Sequence, residues 1–161
     1  MSVHSAGILL FRYRGKDLEV FLVHPGGPFW AKRDEGAWSI PKGLCEENEE
    51  LLEAARREFR EETGFEADGR FIELGQIKQP SKKIVHVWAL EKDINASEVR
   101  SNTFSLEWPK GSGVIREYPE ADRGEWFSLD RAKQKILKGQ AGFLDRLVER
   151  LSGASEAYQS D

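Results

Sequence analysis

Eight glutamates fall within the 23 residues Gly43 to Phe65, G-L-C-E-E-N-E-E-L-L-E-A-A-R-R-E-F-R-E-E-T-G-F. At about 100° per residue, a helix over this stretch places Leu51, Leu52, Ala55 and Phe59 in one apolar stripe. Glu62 falls inside that stripe, Glu58 at its margin, and Glu61 about 60° further round. Glu49, Glu53, Arg56 and Arg60 turn the opposite way and make an ordinary solvated face of mixed charge. The inner set needs compensation, because Glu58 and Glu62 lie one turn apart and repel at a half-buried edge. Arg57, four residues before Glu61, neutralises one of three carboxylates; a divalent cation neutralises more. Oxygen ligands without a neighbouring Cys or His cluster favour a hard ion, Mg²⁺ or Mn²⁺, of the kind shared between carboxylates and substrate phosphates. The chemistry this points to is phosphate chemistry.

These residues must be positioned by the surrounding elements. Asn48 suits the N-cap, Glu49 and Glu50 the positive end of the helix dipole, and Gly64 the C-terminal cap, which predicts a helix over Glu49 to Thr63. Ser5 to Tyr13 and Leu18 to His24 are β-rich runs joined by R-G-K-D, a hairpin signal. Pro25 to Ala37 is a loop that carries Phe29 and Trp30, and Trp38 to Lys42 reads as a brief strand leading into Gly43. Strands are predicted at Phe71 to Ile77, Lys83 to Leu90 and Glu125 to Leu129, and helices at Asp130 to Leu137 and Gln140 to Leu151. Residues Glu91 to Asp122 contain W-P-K-G-S-G and are read as mostly loop with one short strand. Residues 1–151 form one domain, and 152–161 are expected to be a disordered tail.

The spacing of Gly43, Glu49 and Arg57-Glu58-Phe59-Arg60-Glu61-Glu62-Thr63-Gly64-Phe65 resembles the Nudix box in every defined position. The resemblance implies an α/β fold, an α/β/α sandwich with a central mixed sheet and the box as loop, helix and loop. It implies that Glu58 and Glu62 are the main metal ligands and Glu61 a further ligand or base. Gly43 would offer its carbonyl to the metal, while Glu49, Arg57 and Gly64 serve the loop and helix themselves. A further ligand is expected from a late loop. Glu120, six residues before Trp126, has that spacing, with Glu107, Glu117 and Glu125 as competitors.

The implied reaction is Mg²⁺- or Mn²⁺-assisted attack of water on a phosphoanhydride. The segments G-A-W-S-I-P-K-G, K-K-I-V-H-V-W and Glu120 before Trp126 are similar to the asymmetrical dinucleoside tetraphosphate hydrolases of the family. In that reading Lys42 approaches the polyphosphate and Phe29, Trp30 or Trp38 stacks on the base; core packing is the competing role for each tryptophan. Pro80 resembles the ADP-ribose pyrophosphatase group, so ADP-ribose or another nucleoside diphosphate derivative is the alternative substrate. A nucleotide-sensing module that binds without cleaving is the alternative activity.

Composition bounds the partners. A formal charge of −4 over 161 residues gives no electrostatic footprint for polymeric nucleic acid or an anionic membrane. The single Cys45 cannot close an internal disulfide. With no signal-peptide pattern at the start and no long apolar run, the expected compartment is the cytoplasm. The expected partner is a small nucleotide, and nothing in the sequence sets the oligomeric state.

Overall fold

A computed structural model describes the backbone of residues 3–159 and side chains as far as residue 153. The central sheet contains β1 (Val3–Arg14), β2 (Asp17–Pro25), β3 (Lys42–Leu44), β4 (Phe71–Lys78), β5 (Lys83–Glu91) and β8 (Ala121–Ser128). Its strands run in the order β4-β5-β1-β2-β8, with β3 pairing onto β1. β1 and β5 are parallel and the other pairs antiparallel, so the sheet is mixed. A separate two-stranded sheet joins β6 (Thr103–Glu107) and β7 (Ile115–Pro119).

The middle strands are continuous apolar runs because both faces are covered. Ala6, Ile8 and Leu10 of β1 pack beneath α1 (Leu51–Thr63), with Ala54, Ala55 and Phe59. The alternate residues Leu9 and Phe11 pack on the other face, against Ala132 of α2 (Leu129–Lys135), Ile136 at its C-terminal end, and Phe143, Leu144 and Leu147 of α3 (Ala141–Gln159). The result is the expected α/β/α layering. No helix is long and apolar enough to cross a membrane among the described residues.

Several boundaries differ from the sequence reading. Asn48 is not the N-cap: Glu50 holds that position without a side-chain bond. Asn48 lies at φ 66, in a turn closed by Glu49 N–H donating to the Glu46 carbonyl, and asparagine is among the few residues that tolerate this left-handed backbone. The short strand is Lys42–Leu44; Trp38 and Ser39 make only isolated bridges. Residues 91–122 hold two paired strands where one was expected, because the W-P-K-G-S-G breaker is the turn of the β6–β7 hairpin. β8 starts at Ala121, four residues earlier than expected, since its first residues pair with the end of β2. Helical backbone continues to Gln159, into the stretch expected to be a disordered tail; residues 160 and 161 lie outside the described residues.

Candidate active site

The helix α1 and the strand β3 face each other across the acidic site. β3 is fixed by pairing with β1, Ala6 opposite Gly43 and Gly7 opposite Lys42. Gly7 is needed there, because a Cβ on it would come within 2.6 Å of the Pro41 carbonyl oxygen. At Gly43 the constraint comes from the helix: a Cβ would overlap the Glu58 carboxylate. At its far end α1 stops at Gly64, in the left-handed conformation with its N–H on the Arg60 carbonyl. Thr63, fully buried, caps the same turn by donating to the Phe59 carbonyl and accepting from Phe65 N–H.

One cavity of about 400 Å³ gathers Lys42, Gly43, Leu44, Glu58, Glu61, Glu62, Asn102, Thr103 and Glu120. The sequence reading singled out Lys42, Gly43 and the four glutamates, from three separate stretches of chain. It had no signal for Asn102 and Thr103, ordinary polar residues in an apparent loop. Their place depends on pairing: Asn102 N–H donates to the Glu61 carbonyl, and Glu120 N–H donates to the Asn102 carbonyl. The competing residue Glu107 instead accepts from Gly111 N–H in the hairpin turn.

Electrostatically the cavity is under strain. Burial pushes the Glu62 carboxyl up to about 8, with Glu58 and Glu120 adding to the rise; the Lys42 backbone N–H, 2.6 Å from Glu62 Oε2, opposes it. Burial also raises Glu58, against the pull of Arg57. The Lys42 ammonium is lowered by burial, partly offset by Glu62. Among the described residues Arg57 is the one cation that grips the acids directly. Its Nε and Nη2 fork onto Glu49 at 2.8 and 3.0 Å, Nη2 also reaches the Leu44 carbonyl, and Nη1 donates to Glu58 at 2.9 Å and Glu61 at 3.1 Å. The fork onto Glu49 is the main reason that the guanidinium is raised and the Glu49 carboxyl lowered. Arg57 therefore ties the loop after β3 to the helix and orients two of the inner carboxylates.

Among the described residues no three acidic, His or Cys side chains converge into a preformed ligand cluster. The donor set still suits a hard divalent cation. It is oxygen-only, and its half-buried carboxyls raise one another's proton affinity, a repulsion that a cation relieves.

The expected aromatic contacts separate. Trp38 is fully buried, its Nε1 donating to Asp34 and its ring packed against Phe127 and His24. It presents no face to a ligand, so the stacking role expected for it is corrected to core packing. Trp30 is half-buried, with the Arg33 guanidinium over its ring. Phe29 is 62 % exposed and meets Trp108 edge to face. His24, assigned no role from sequence, is fully buried between Asp122 at 2.9 Å and the Arg33 carbonyl at 2.7 Å, and so ties the Pro25–Ala37 loop to β8.

The chain is 39% identical over 74 residues to an RNA pyrophosphohydrolase of Bartonella henselae, spanning 44% of this chain and 38% of that protein. Over 113 residues it is 32% identical to the asymmetrical bis(5'-nucleosyl)-tetraphosphatase of Mus musculus, 62% of this chain and 72% of the relative. In fold it is similar to the NUDIX domain of Shewanella oneidensis NrtR complexed with ADP ribose, with a TM-score of 0.66 at 17% identity over 94% of this chain and 89% of that one. That structural likeness speaks for the fold alone. The NUDIX domain profile matches residues 1–147, and the chain belongs to the NUDIX domain family.

Proposed function

We propose that this protein is a divalent-cation-dependent hydrolase that cleaves a phosphoanhydride bond in a nucleoside polyphosphate. The observation that carries the reading is the convergence of Lys42, Gly43, Glu58, Glu61, Glu62 and Glu120 on one cavity. The family generally uses divalent metal ions, and here Glu58, Glu62 and Glu120, with Glu61 and the Gly43 carbonyl, are the groups to hold Mg²⁺ or Mn²⁺. When bound, such an ion would polarise the phosphate and lower the pKa of the attacking water.

The chain's own groups do the rest. Arg57 holds Glu58 and Glu61 in orientation through Nη1, so these carboxylates are positioned before substrate arrives. Lys42 supplies positive charge opposite the glutamates, where the phosphate oxygens would lie. The Glu61 carboxylate, 37% exposed, is the inner glutamate most open to solvent water and the best placed to take its proton.

Two substrate classes are carried forward. The mouse relative is named for a dinucleoside tetraphosphate, which matches the first choice made from sequence. ADP-ribose is the second reading, from the resemblance at Pro80. A panel of dinucleoside polyphosphates, nucleoside triphosphates, ADP-ribose and 5'-triphosphorylated RNA, with products identified, tests both and also the expectation that polymeric nucleic acid is not a substrate. Glu62→Gln is expected to lower kcat at saturating Mg²⁺ by about 10²-fold or more, as for loss of one strong transition-state contact. Unchanged turnover in that variant would remove Glu62 from the site.

A further inference from the structure

The helix α1 ends, as every helix does, on carbonyls that have no partner within the helix. Two of them are met by the segment that leads into β6. Arg100 N–H donates to the Thr63 carbonyl at 2.9 Å and Asn102 N–H to the Glu61 carbonyl at 2.7 Å. The segment lies so close that a Cβ on Gly64 would come within 3.0 Å of the Arg100 carbonyl oxygen. On its other side it is tied to the start of β8. Glu120 N–H donates to the Asn102 carbonyl at 2.8 Å, and Ala121 N–H to the Ser101 hydroxyl at 3.0 Å. Residues 100–102 thus bridge the helix that carries Glu58, Glu61 and Glu62 to the turn that carries Glu120.

At the centre of this bridge, Asn102 lines the cavity together with the glutamates. Its main-chain N–H and carbonyl are both engaged, one on each side, so the carboxamide is the group that it offers. The residue is exposed, and its side chain has no hydrogen-bond partner among the described residues. Donors are what the cavity is short of: four of its lining residues are glutamates, and Lys42 is the one cation among them. A phosphate brought there presents anionic oxygens that need donors, while a bound cation takes up oxygens. The carboxamide could serve either need. Its Oδ1 would add one more oxygen to a set already rich in them, whereas its Nδ2 supplies the missing kind of group.

We infer that Asn102 binds the reacting phosphate, its Nδ2 donating to a non-bridging oxygen. The inference rests on the proposed hydrolase reading and adds to it a phosphate contact from outside the glutamate helix. Charge on those oxygens must be held through the transition state, so the bond acts on kcat.

The test is steady-state kinetics of the full chain with the best substrate of the panel, comparing wild type, Asn102→Ala and Asn102→Asp, with the Tm of each. Both variants keep the main-chain bonds of the bridge, and Asp keeps the shape and the acceptor oxygens while losing the donor. Asn102→Ala should lower kcat about 10²-fold, the usual loss for one donor at developing charge, with Tm unchanged. Asn102→Asp should fall at least as far, because it sets a carboxylate against the phosphate, and it decides alone if Asn102→Ala does not fold. Wild-type turnover in Asn102→Asp would assign the role to the oxygen, on the cation, and overturn the inference; so would an unchanged kcat in Asn102→Ala. A fall in kcat matched by a fall in Tm in both variants would assign the loss to the bridge and overturn it too. If wild type hydrolyses nothing in the panel, the hydrolase reading fails, and calorimetric binding of a methylene-bridged nucleoside triphosphate with Mg²⁺ decides the inference. A Kd weakened about 10-fold or more by Asn102→Asp supports it, and an unaltered Kd, or no binding by wild type, overturns it.

Discussion

Glu58 fills the volume that any side chain at position 43 would need, and this is a steric demand: Gly43 is not among the glycines with left-handed backbone. Gly43→Ala should therefore cost stability through overpacking, about 1–3 kcal/mol, and should lower activity by displacing Glu58. The cost should vanish when its cause is removed. In a Glu58→Ala background Gly43→Ala is expected to be neutral within about 0.5 kcal/mol, a coupling that denaturant unfolding of the four proteins measures. An undiminished cost in that background would mean that something other than Glu58 excludes the methyl. Spacing alone marked Gly43, Arg57 and the inner glutamates as members of one motif, but it could not say which atom Gly43 makes room for. Trp38 was illegible in the opposite sense. A tryptophan before S-I-P-K-G near the site suits both core packing and base stacking, and only the positions of Phe127, His24 and Asp34 distinguish them.

One of the contacts that hold the Pro25–Ala37 loop titrates. Asp34 pairs with Lys135 of α2 and accepts from Trp38, and these bonds, led by Lys135, hold its carboxyl below the ordinary 3.8. A carboxyl lowered on folding stabilises above its unfolded pKa and loses that contribution as pH falls through the folded value. Asp34→Asn should thus be less stable than wild type at neutral pH, with a difference in unfolding free energy that is constant above about pH 4 and shrinks in more acid solution. Urea melts from pH 7 to 2.5 check this; a gap independent of pH would assign the loss to packing. Element existence was largely legible, because β1 and β2 are unbroken β-rich apolar runs, β4 and β5 alternate in part, and α1 carries an apolar stripe. The β6–β7 hairpin was not, since Phe104, Leu106 and Trp108 alternate over only five residues before W-P-K-G-S-G, and that breaker reads as the end of structure when it is a turn within it. The N-cap was missed for a related reason: Asn serves both an N-cap and a left-handed turn, and the local sequence does not choose between them.

Across the whole molecule, the acidic site is a destabilising feature that the two apolar layers must outweigh. Glu58 and Glu62 are half-buried under one another's field and that of Glu120, while Arg57 spends its fork on Glu49 and only one nitrogen on Glu58 and Glu61. A ligand that binds the folded chain and not the unfolded one adds stability as RT ln(1 + [L]/Kd), about 2.7 kcal/mol at 100 Kd. For a domain of this size such a gain raises the melting temperature by several degrees. Mg²⁺ or Mn²⁺ is therefore expected to raise the Tm of the wild-type chain with no nucleotide present. The rise should be lost or strongly reduced in Glu62→Gln, while an exposed-face control such as Glu53→Gln keeps it, since Glu53 pairs with Arg56 on the outer side of α1. Calorimetric scans at matched ionic strength separate this from general screening, which acts on all three proteins alike. An equal rise in Glu62→Gln would mean that the cation binds elsewhere, and no rise in the wild type that it binds only with the nucleotide; in either case the four glutamates would be gathered for substrate rather than for a resident ion.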